Sequence, residues 1–443
     1  MPWVTSATGV ADEVRPATGG KRTAYAAPVT TESRRKLSVF APLLLALLSS
    51  VGPFAIDTAF PAFPQMGRDL AVGGPALQWT ISAYLFAFGV MSIFHGPLSD
   101  ALGRRPVIIG GMALFALASV GCALAPSLPM LLFFRVLQGL SAGGGVIVSR
   151  TVIRDVYEGS DAQRLMSRVT MIFALAPAIA PILGGYLLQV GTWRWIFWFL
   201  TGFGFLLVAC VLLFLPETHP VERRVAFRPG PMVRSLVNVF RSGPFHVVAW
   251  ATTLAFAGQF LYVGAAAIFV VDLLGKGETD FWVLFVPVVG GMILGSAVSS
   301  RAAGRISGRA LVSAGLTIAV VAAAVNVALS LLPTAANLPS AVLGPTVIAF
   351  GVACSYPTLQ LAMLDMFPAT RGAVTSAATF MTLMFNSVLT GVIVNLVSDS
   401  VLHLAVTSFG LVLGGFLLWT WHIALVRREL RVNPDPLPDE PQI

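Results

Sequence analysis

Charge is what this sequence lacks most. Asp, Glu, Lys and Arg make up 11% of its 443 residues, against roughly a quarter in soluble domains. So few charges cannot coat a chain of this length for water, which excludes an ordinary soluble enzyme or binding domain. Cysteine is scarce too. Cys122, Cys210 and Cys354 all fall inside apolar segments, so packing is their expected role, not a disulfide framework or a metal site. The histidines, His95, His219, His246, His403 and His422, lie at or near the ends of apolar runs and show no ligand spacing. No metal is therefore expected. No serine–lysine pair or His/Asp cluster marks a membrane enzyme, and no phosphate-binding Walker loop is present, which excludes ATP as the energy source. Nothing at the start resembles a cleaved signal peptide. Residues 1–36 are polar and of mixed charge, and a disordered cytoplasmic tail is expected there.

What the chain has instead is apolar length. Fifty-six per cent of its residues are apolar and the mean hydropathy is +0.83. A bilayer core needs about 20 apolar residues per helix, and runs of that size recur. They predict spans near 38–60, 76–98, 106–125, 128–149, 165–188 and 193–215, then 245–271, 281–299, 310–332, 340–362, 373–396 and 403–426. The fold class is an all-α membrane protein of twelve transmembrane helices. A net charge of +8 would suit nucleic acid only if it were clustered. Here the basic residues sit in short loops and tails. With the N-terminus inside, 24 of the 28 lysines and arginines fall on the cytoplasmic side, including Arg150 and Arg154. Three, Arg68, Arg194 and Lys276, fall outside, and Arg135 lies within a span. That asymmetry predicts both termini in the cytoplasm.

The polar stretch after span 6 divides the chain. The expected organisation is a tail at 1–36, a six-helix bundle at 37–216, a cytoplasmic linker at 217–243, a second bundle at 244–428 and a tail at 429–443. The halves echo each other weakly: Gly103-Arg104-Arg105 follows span 2, and Gly304-Arg305 follows span 8, 201 residues later. A duplicated six-helix unit leaves such an echo.

Several polar residues stand out within this apolar frame. Asp57 lies in span 1, between Gly52-Pro53 and Pro61. A carboxyl in an apolar span is costly unless paired, wetted or protonated, and it makes a usable proton carrier. The alternative is a wetted interfacial acid. Arg135 must face the bundle interior or water, and Gln138 shares its helix face. On its own chemistry it reads as a hydrogen-bond hub that ties spans together. The loop Gly96-Pro-Leu-Ser-Asp100-Ala-Leu-Gly103-Arg104-Arg105-Pro106 follows span 2. Gly96 and Gly103 permit close approach and a sharp turn. Asp100 can accept hydrogen bonds at a helix N-terminus, and Arg104 can pair with a carboxylate, for which Asp155 is the candidate. Span 5 carries Pro177, Pro181, Gly184 and Gly185, a kinked helix built for close packing. Tyr84, Gln138, Gln259, Tyr262, Tyr356, Gln360, Phe380 and Asn386 are expected to line an amphipathic cavity with few fixed charges, suited to neutral or weakly charged lipophilic compounds.

The Gly96–Pro106 loop resembles the loop 2–3 signature of the major facilitator superfamily. The wider set resembles that family's drug/proton antiporters, in the bicyclomycin and chloramphenicol resistance (Bcr/CflA) branch. The set comprises Ala55-Ile-Asp57, Arg135-Val-Leu-Gln138-Gly139, Arg154-Asp155, the span 5 stretch, Trp193-Arg-Trp and Pro216-Glu-Thr. The likeness is dense over 50–218 and thin beyond. It implies two pseudo-symmetric bundles, a loop that latches them through Gly96, Asp100, Gly103, Arg104, Arg105 and Asp155 against the start of span 11, and proton handling at Arg135. The span 5 pattern implies export. Some relatives carry a second acid two turns before Asp57. Ser49 stands there in this chain, which argues against two-site coupling. The expected function is a proton-coupled exporter of small lipophilic compounds in a bacterial inner membrane, acting as a monomer without cofactor or nucleic acid. The alternative is a proton symporter importing a metabolite.

Overall fold

The computed structural model describes residues 40–157 and 159–432. The tail expected at 1–36 and most of that at 429–443 lie outside them. Among the described residues the chain is helical, with one isolated bridge between Ala303 and Ile306. Helices satisfy every backbone N–H and C=O within the segment, as a lipid surround requires.

Eleven described helices are long and apolar enough to cross a membrane, and a bent pair makes a twelfth span when read as one. Spans 2 to 6 are Gly74–Leu102, Arg104–Ala123, Leu128–Val156, Gly159–Val190 and Arg194–Phe214. Spans 7 to 10 are Gly243–Gly264, Trp282–Ala302, Gly308–Ser330 and Ser340–Asp365. Span 11 is Arg371–Val388, continued through a π turn at Leu389–Ile393 into Val394–Val397, and span 12 is Val401–Val432.

Span 1 is the bent pair. It runs as Ala41–Ser49 and Val51–Asp57, then through a tight turn at Phe60–Ala62 into Phe63–Asp69. The bend is 42°. Proline has no N–H to give the carbonyl four residues before it, so Pro53 and Pro61 deny that bond to Ser49 and Asp57, and the Phe60 carbonyl, denied it by Pro64, accepts from the Phe63 N–H. The Ser49 and Ser50 hydroxyls turn back onto the Leu45 and Ala46 carbonyls, each at 2.9 Å, a bond that bends helices. The span predicted to end near residue 60 therefore continues, broken, to Asp69.

Packing repeats with a shift of six spans. Span 2 packs on 4, 3 on 4 and 3 on 6; span 8 packs on 10, 9 on 10 and 9 on 12. Gly111 meets Gly144 between spans 3 and 4, and Gly315 meets Gly351 at the matching place between spans 9 and 10. Without side chains the backbones approach closely, which is the main source of helix affinity in lipid. The bundles meet through two related pairs, span 2 with 11 and span 5 with 8.

The segment expected as a plain linker contains a helix, Pro229–Phe240. Leu236 and Val239 are buried on one face, while Arg228 and Arg234 are exposed. The helix packs on span 11, with Phe240 edge-on to Phe380 at 6.3 Å.

Candidate functional site

A cavity of about 290 Å³ lies between the bundles. Its wall is mostly apolar, with Phe88 and Phe173 from the first half and Phe256, Phe260 and Phe285 from the second. Asp57 opens into it, as do Gln259, Tyr356 and Asn386. Arg150, assigned by its position to a loop, also lines it. Span 4 does not end at residue 149 but continues to Val156, which turns Arg150 inward. Among the described residues the cavity thus carries one acid and one fixed cation, both from the first bundle.

The bundles close on each other at the face away from the Gly96–Pro106 loop. Ser82 Oγ donates to the Ser387 carbonyl and Ser387 Oγ donates to that of Ser82, both at 2.8 Å. Asn395 Nδ2 donates to the Pro75 carbonyl at 3.1 Å. Phe60 and Phe285 lie 6.1 Å apart between ring centres. Toward the loop face, Arg150 is enclosed by protein yet exposed to solvent. The cavity therefore reaches water on the loop face.

Asp57 is 4% exposed, and among the described residues no ion pair joins it to Arg135. Arg135 is fully buried. Its Nη1 donates to the Ala55 carbonyl at 2.7 Å and to Gln138 Oε1 at 3.1 Å. Gln138 Nε2 in turn donates to Ser119 Oγ at 2.7 Å. The guanidinium lies over Phe197 at 5.3 Å and over Tyr84 at 5.8 Å, contacts that favour a desolvated cation. Arg135 thus grips the backbone of span 1 two residues before Asp57. Its Nε and Nη2 have no hydrogen-bond partner among the described residues.

The loop residues form a second network. Arg104 Nε donates to Asp155 Oδ2 at 2.8 Å, and its Nη1 donates to Ser99 Oγ at 2.6 Å and to Asp100 Oδ1. Arg104 thus bridges two carboxylates. Glu217 stands out in the sequence only as part of the Pro216-Glu-Thr match. Its carboxylate accepts from the backbone N–H groups of Arg104 at 3.0 Å and Arg105 at 3.3 Å. Acids at a helix N-terminus satisfy orphan donors and the dipole together. Arg105 Nη2 donates to the Leu212 carbonyl at 2.6 Å. All these partners lie in the first bundle and the segment after it. Gly96 and Asp100 face Thr370 and Gly372, at the start of span 11, across a crevice. The network fastens the first bundle to the linker, and in this conformation Asp100 pairs with Arg104.

In span 5, Pro177 lines the cavity and Pro181 is buried. Gly184 packs on the Thr58 carbonyl of span 1, and Gly185 packs on Glu278 and Thr279 of the other half. The glycine pair therefore sits where span 1, span 5 and the second bundle converge.

Five residues expected at the cavity lie elsewhere. Tyr84 and Gln138 belong to the buried Arg135 cluster. The Tyr262 hydroxyl accepts from Asn326 Nδ2 at 2.6 Å inside the second bundle. Gln360 sits one turn beyond the cavity as a partner of Tyr356, and Phe380 packs on the linker helix. Gln138, Tyr262 and Gln360 thus meet polar partners within their own bundles, because an unpaired polar atom in lipid is costly.

Two repeated six-helix units around a central cavity define a membrane transporter. The Major Facilitator Superfamily profile matches residues 45–389, and the chain belongs to that family. It is 34% identical over 293 residues to an uncharacterized MFS-type transporter, YdgK, of Bacillus subtilis, covering 65% of this chain and 72% of that one. It is 29% identical to a bicyclomycin resistance protein homolog of Haemophilus influenzae, covering 58% and 65%. It is 31% identical to multidrug resistance protein D of Escherichia coli, covering 60% and 67%. The last two carry drug-resistance names, consistent with the Bcr/CflA resemblance. Among solved structures, a bacterial homolog of the lysosomal transporter Spinster, inward-facing and unoccupied, superposes with a TM-score of 0.65 at 16% identity, covering 91% of this chain and 99% of that one. That likeness concerns the fold.

Proposed function

We propose that the protein exports small lipophilic compounds from a bacterial cytoplasm in exchange for protons, as a monomer, with the proton gradient as its energy source and no cofactor. The carrying observation is Asp57, a nearly buried acid that opens into the central cavity. The arginine bias of the loops supports placing the loop face in the cytoplasm, with both termini there. The conformation is then inward-facing, ready to load from inside.

The cycle follows from one carboxyl serving two ligands in turn. With Asp57 ionised the cavity takes substrate from the cytoplasm. The bundles rock, span 2 against 11 and span 5 against 8, and the cavity opens outward. Protonation of Asp57 from outside weakens substrate binding, and the protonated carrier returns. Arg135, bonded to the span 1 backbone two residues before Asp57, fixes where the carboxyl stands in the cavity. The Arg104 network latches and releases the cytoplasmic ends. The drug-resistance relatives support export as the direction.

The test uses purified protein in proteoliposomes with an imposed proton gradient as the only energy source. Wild type is expected to drive a drug uphill against its own gradient, and an uncoupler is expected to stop it. Uphill drug movement together with protons, instead of against them, would show a symporter. Undiminished uphill efflux by Asp57→Asn would reject the coupling role.

A further inference from the structure

Arg150 is the one cavity residue whose charge the proposed cycle does not use. Two contacts fix its depth. Ser49 Oγ and Ser149 Oγ lie 2.9 Å apart, and Gly52 faces Val146. The Arg150 backbone therefore stands level with Ser49, eight residues before Asp57 on span 1 and across its bend. The acid lies deep in the cavity and the cation near its cytoplasmic mouth.

A cation at membrane depth needs an anion, backbone carbonyls or water. Among the described residues Arg150 has no carboxylate partner. Its guanidinium lies over the Phe173 ring at 5.6 Å and faces the Tyr356 side of the cavity. Phe256 is 5.8 Å from Tyr356 and stacks on Phe260 at 5.9 Å. The mouth thus pairs a solvent-reached guanidinium with aromatic faces, the combination that binds a planar ring bearing an acidic group. Ser49 leaves no second acid at this level to neutralise it.

We propose that Arg150 is a substrate-recognition residue, and that the cavity prefers aromatic compounds carrying a carboxylate or similar anionic group over cationic ones. The proposal rests on reading this cavity as the transport site. The anionic end forms a forked pair with the guanidinium, the ring packs against Phe173, Phe256 and Tyr356, and the apolar end points toward Asp57. Asp57 lies at the other end of the cavity, so its protonation weakens substrate binding through the rearrangement of the bundles and not through its own charge. A lipophilic cation meets like charge at the mouth. The neutral preference expected from the sequence gives way to an anionic one, because a residue counted as loop charge faces the cavity.

The test compares 2-naphthoate, 2-naphthamide and 2-naphthylmethylammonium, which share a ring and differ in head group. Binding to the purified full-length protein in detergent is followed by tryptophan fluorescence. Wild type is expected to bind the naphthoate at least tenfold more tightly than the ammonium compound. Arg150→Gln is expected to lose about tenfold for the naphthoate while holding the naphthamide within twofold, which also shows that the fold survives. Arg150→Lys is expected to keep most of the preference, and Arg150→Glu to reverse it. Equal affinities in wild type, an unchanged naphthoate affinity in Arg150→Gln, or equal weakening for all three compounds would overturn the proposal. Proteoliposome transport separates this from the efflux reading. Head-group selectivity without uphill movement leaves Arg150's role standing and the export reading fallen; uphill movement with an indifferent Arg150→Gln does the reverse.

Discussion

In the first half of the molecule Asp57, Arg104 and Arg135 are all buried; in the second half every buried polar side chain among the described residues is neutral. Spans 3 and 4 centre on the charged Arg135–Gln138–Ser119 chain, whereas the buried pairs of the second bundle, Asn326 with Tyr262, Trp419 with Ser313 and Thr253 with Thr382, join neutral side chains. The Gly-Arg loop after span 2 is tied by Glu217, Asp155 and Asp100. After span 8, Arg305 is exposed. One packing scheme thus carries two chemistries. A buried charge needs fixed partners, so the half that handles charge is also the half with networks. The second half supplies most of the aromatic wall.

The most severe way to break this asymmetry is to move the acid. Asp57→Asn is expected to reduce uphill efflux to background in proteoliposomes while the protein still folds and inserts. Adding Asn386→Asp puts a carboxyl on the opposite cavity wall. If position relative to Arg135 matters, the double variant stays inactive. Restored proton-driven efflux would mean that any cavity acid suffices.

A smaller effect is expected at the paired loops. Arg104→Ala removes charge-assisted bonds to two carboxylates, and each such bond contributes about 1.5–3 kcal/mol when well buried. Asp100 is half exposed, so the loss falls mainly on Asp155. Efflux is expected to slow about tenfold with drug binding kept, and thermal unfolding in detergent is expected to fall. Arg305→Ala is expected to change neither. Loss of binding in Arg104→Ala would make the loop part of the binding site instead of a latch.

The two hubs sharpen the comparison further. Gln138→Ala and Asn326→Ala each orphan a buried partner, at about 1–3 kcal/mol, so similar losses of thermal stability are expected. Only Gln138→Ala is expected to disturb proton-driven efflux beyond that loss, because Gln138 orients Arg135. Equal functional damage from both would assign Arg135 to packing alone.

The helical class, the number of spans and the Arg104–Asp155 pair were legible in the sequence, because apolar length and motif spacing are local signals. The break in span 1 was legible in part, since Pro53, Pro61 and Pro64 are visible, but not where the span would end. Arg150 was misplaced because the apolar run stops at residue 149 while the helix does not. Tyr84, Gln138 and Tyr262 looked like cavity residues because a span surrounded by lipid and by other apolar helices gives no polar stripe to show its facing. The linker helix left a readable trace in Met232, Leu236, Val239 and Phe240, spaced at helical intervals on one face. Glu217's grip on the Arg104 helix joins positions 113 residues apart, and no local pattern announces such a contact.

The smallest expected effect lies in the two glycines 201 residues apart that first suggested a repeat. Gly103 has φ +100° and ψ 157°, a region that essentially only glycine enters. A Cβ there would press on the Glu217 carboxylate and the Arg224 guanidinium. Gly304 has φ +77°, and a Cβ there would meet nothing within 4 Å. Asparagine tolerates the left-handed helical region but not the one Gly103 occupies. Gly304→Asn is therefore expected to cost a few tenths of a kcal/mol, and Gly103→Asn about 1–3 kcal/mol with Glu217 displaced from the helix it caps. Thermal unfolding of both variants in detergent measures the difference. Equal losses would mean that the second loop is held as tightly as the first, and that the asymmetry between the halves stops short of their loops. Adding Glu217→Ala to Gly103→Asn separates the two contributions. If crowding of Glu217 dominates, the double variant loses little more than Glu217→Ala alone; if backbone strain dominates, the full penalty persists.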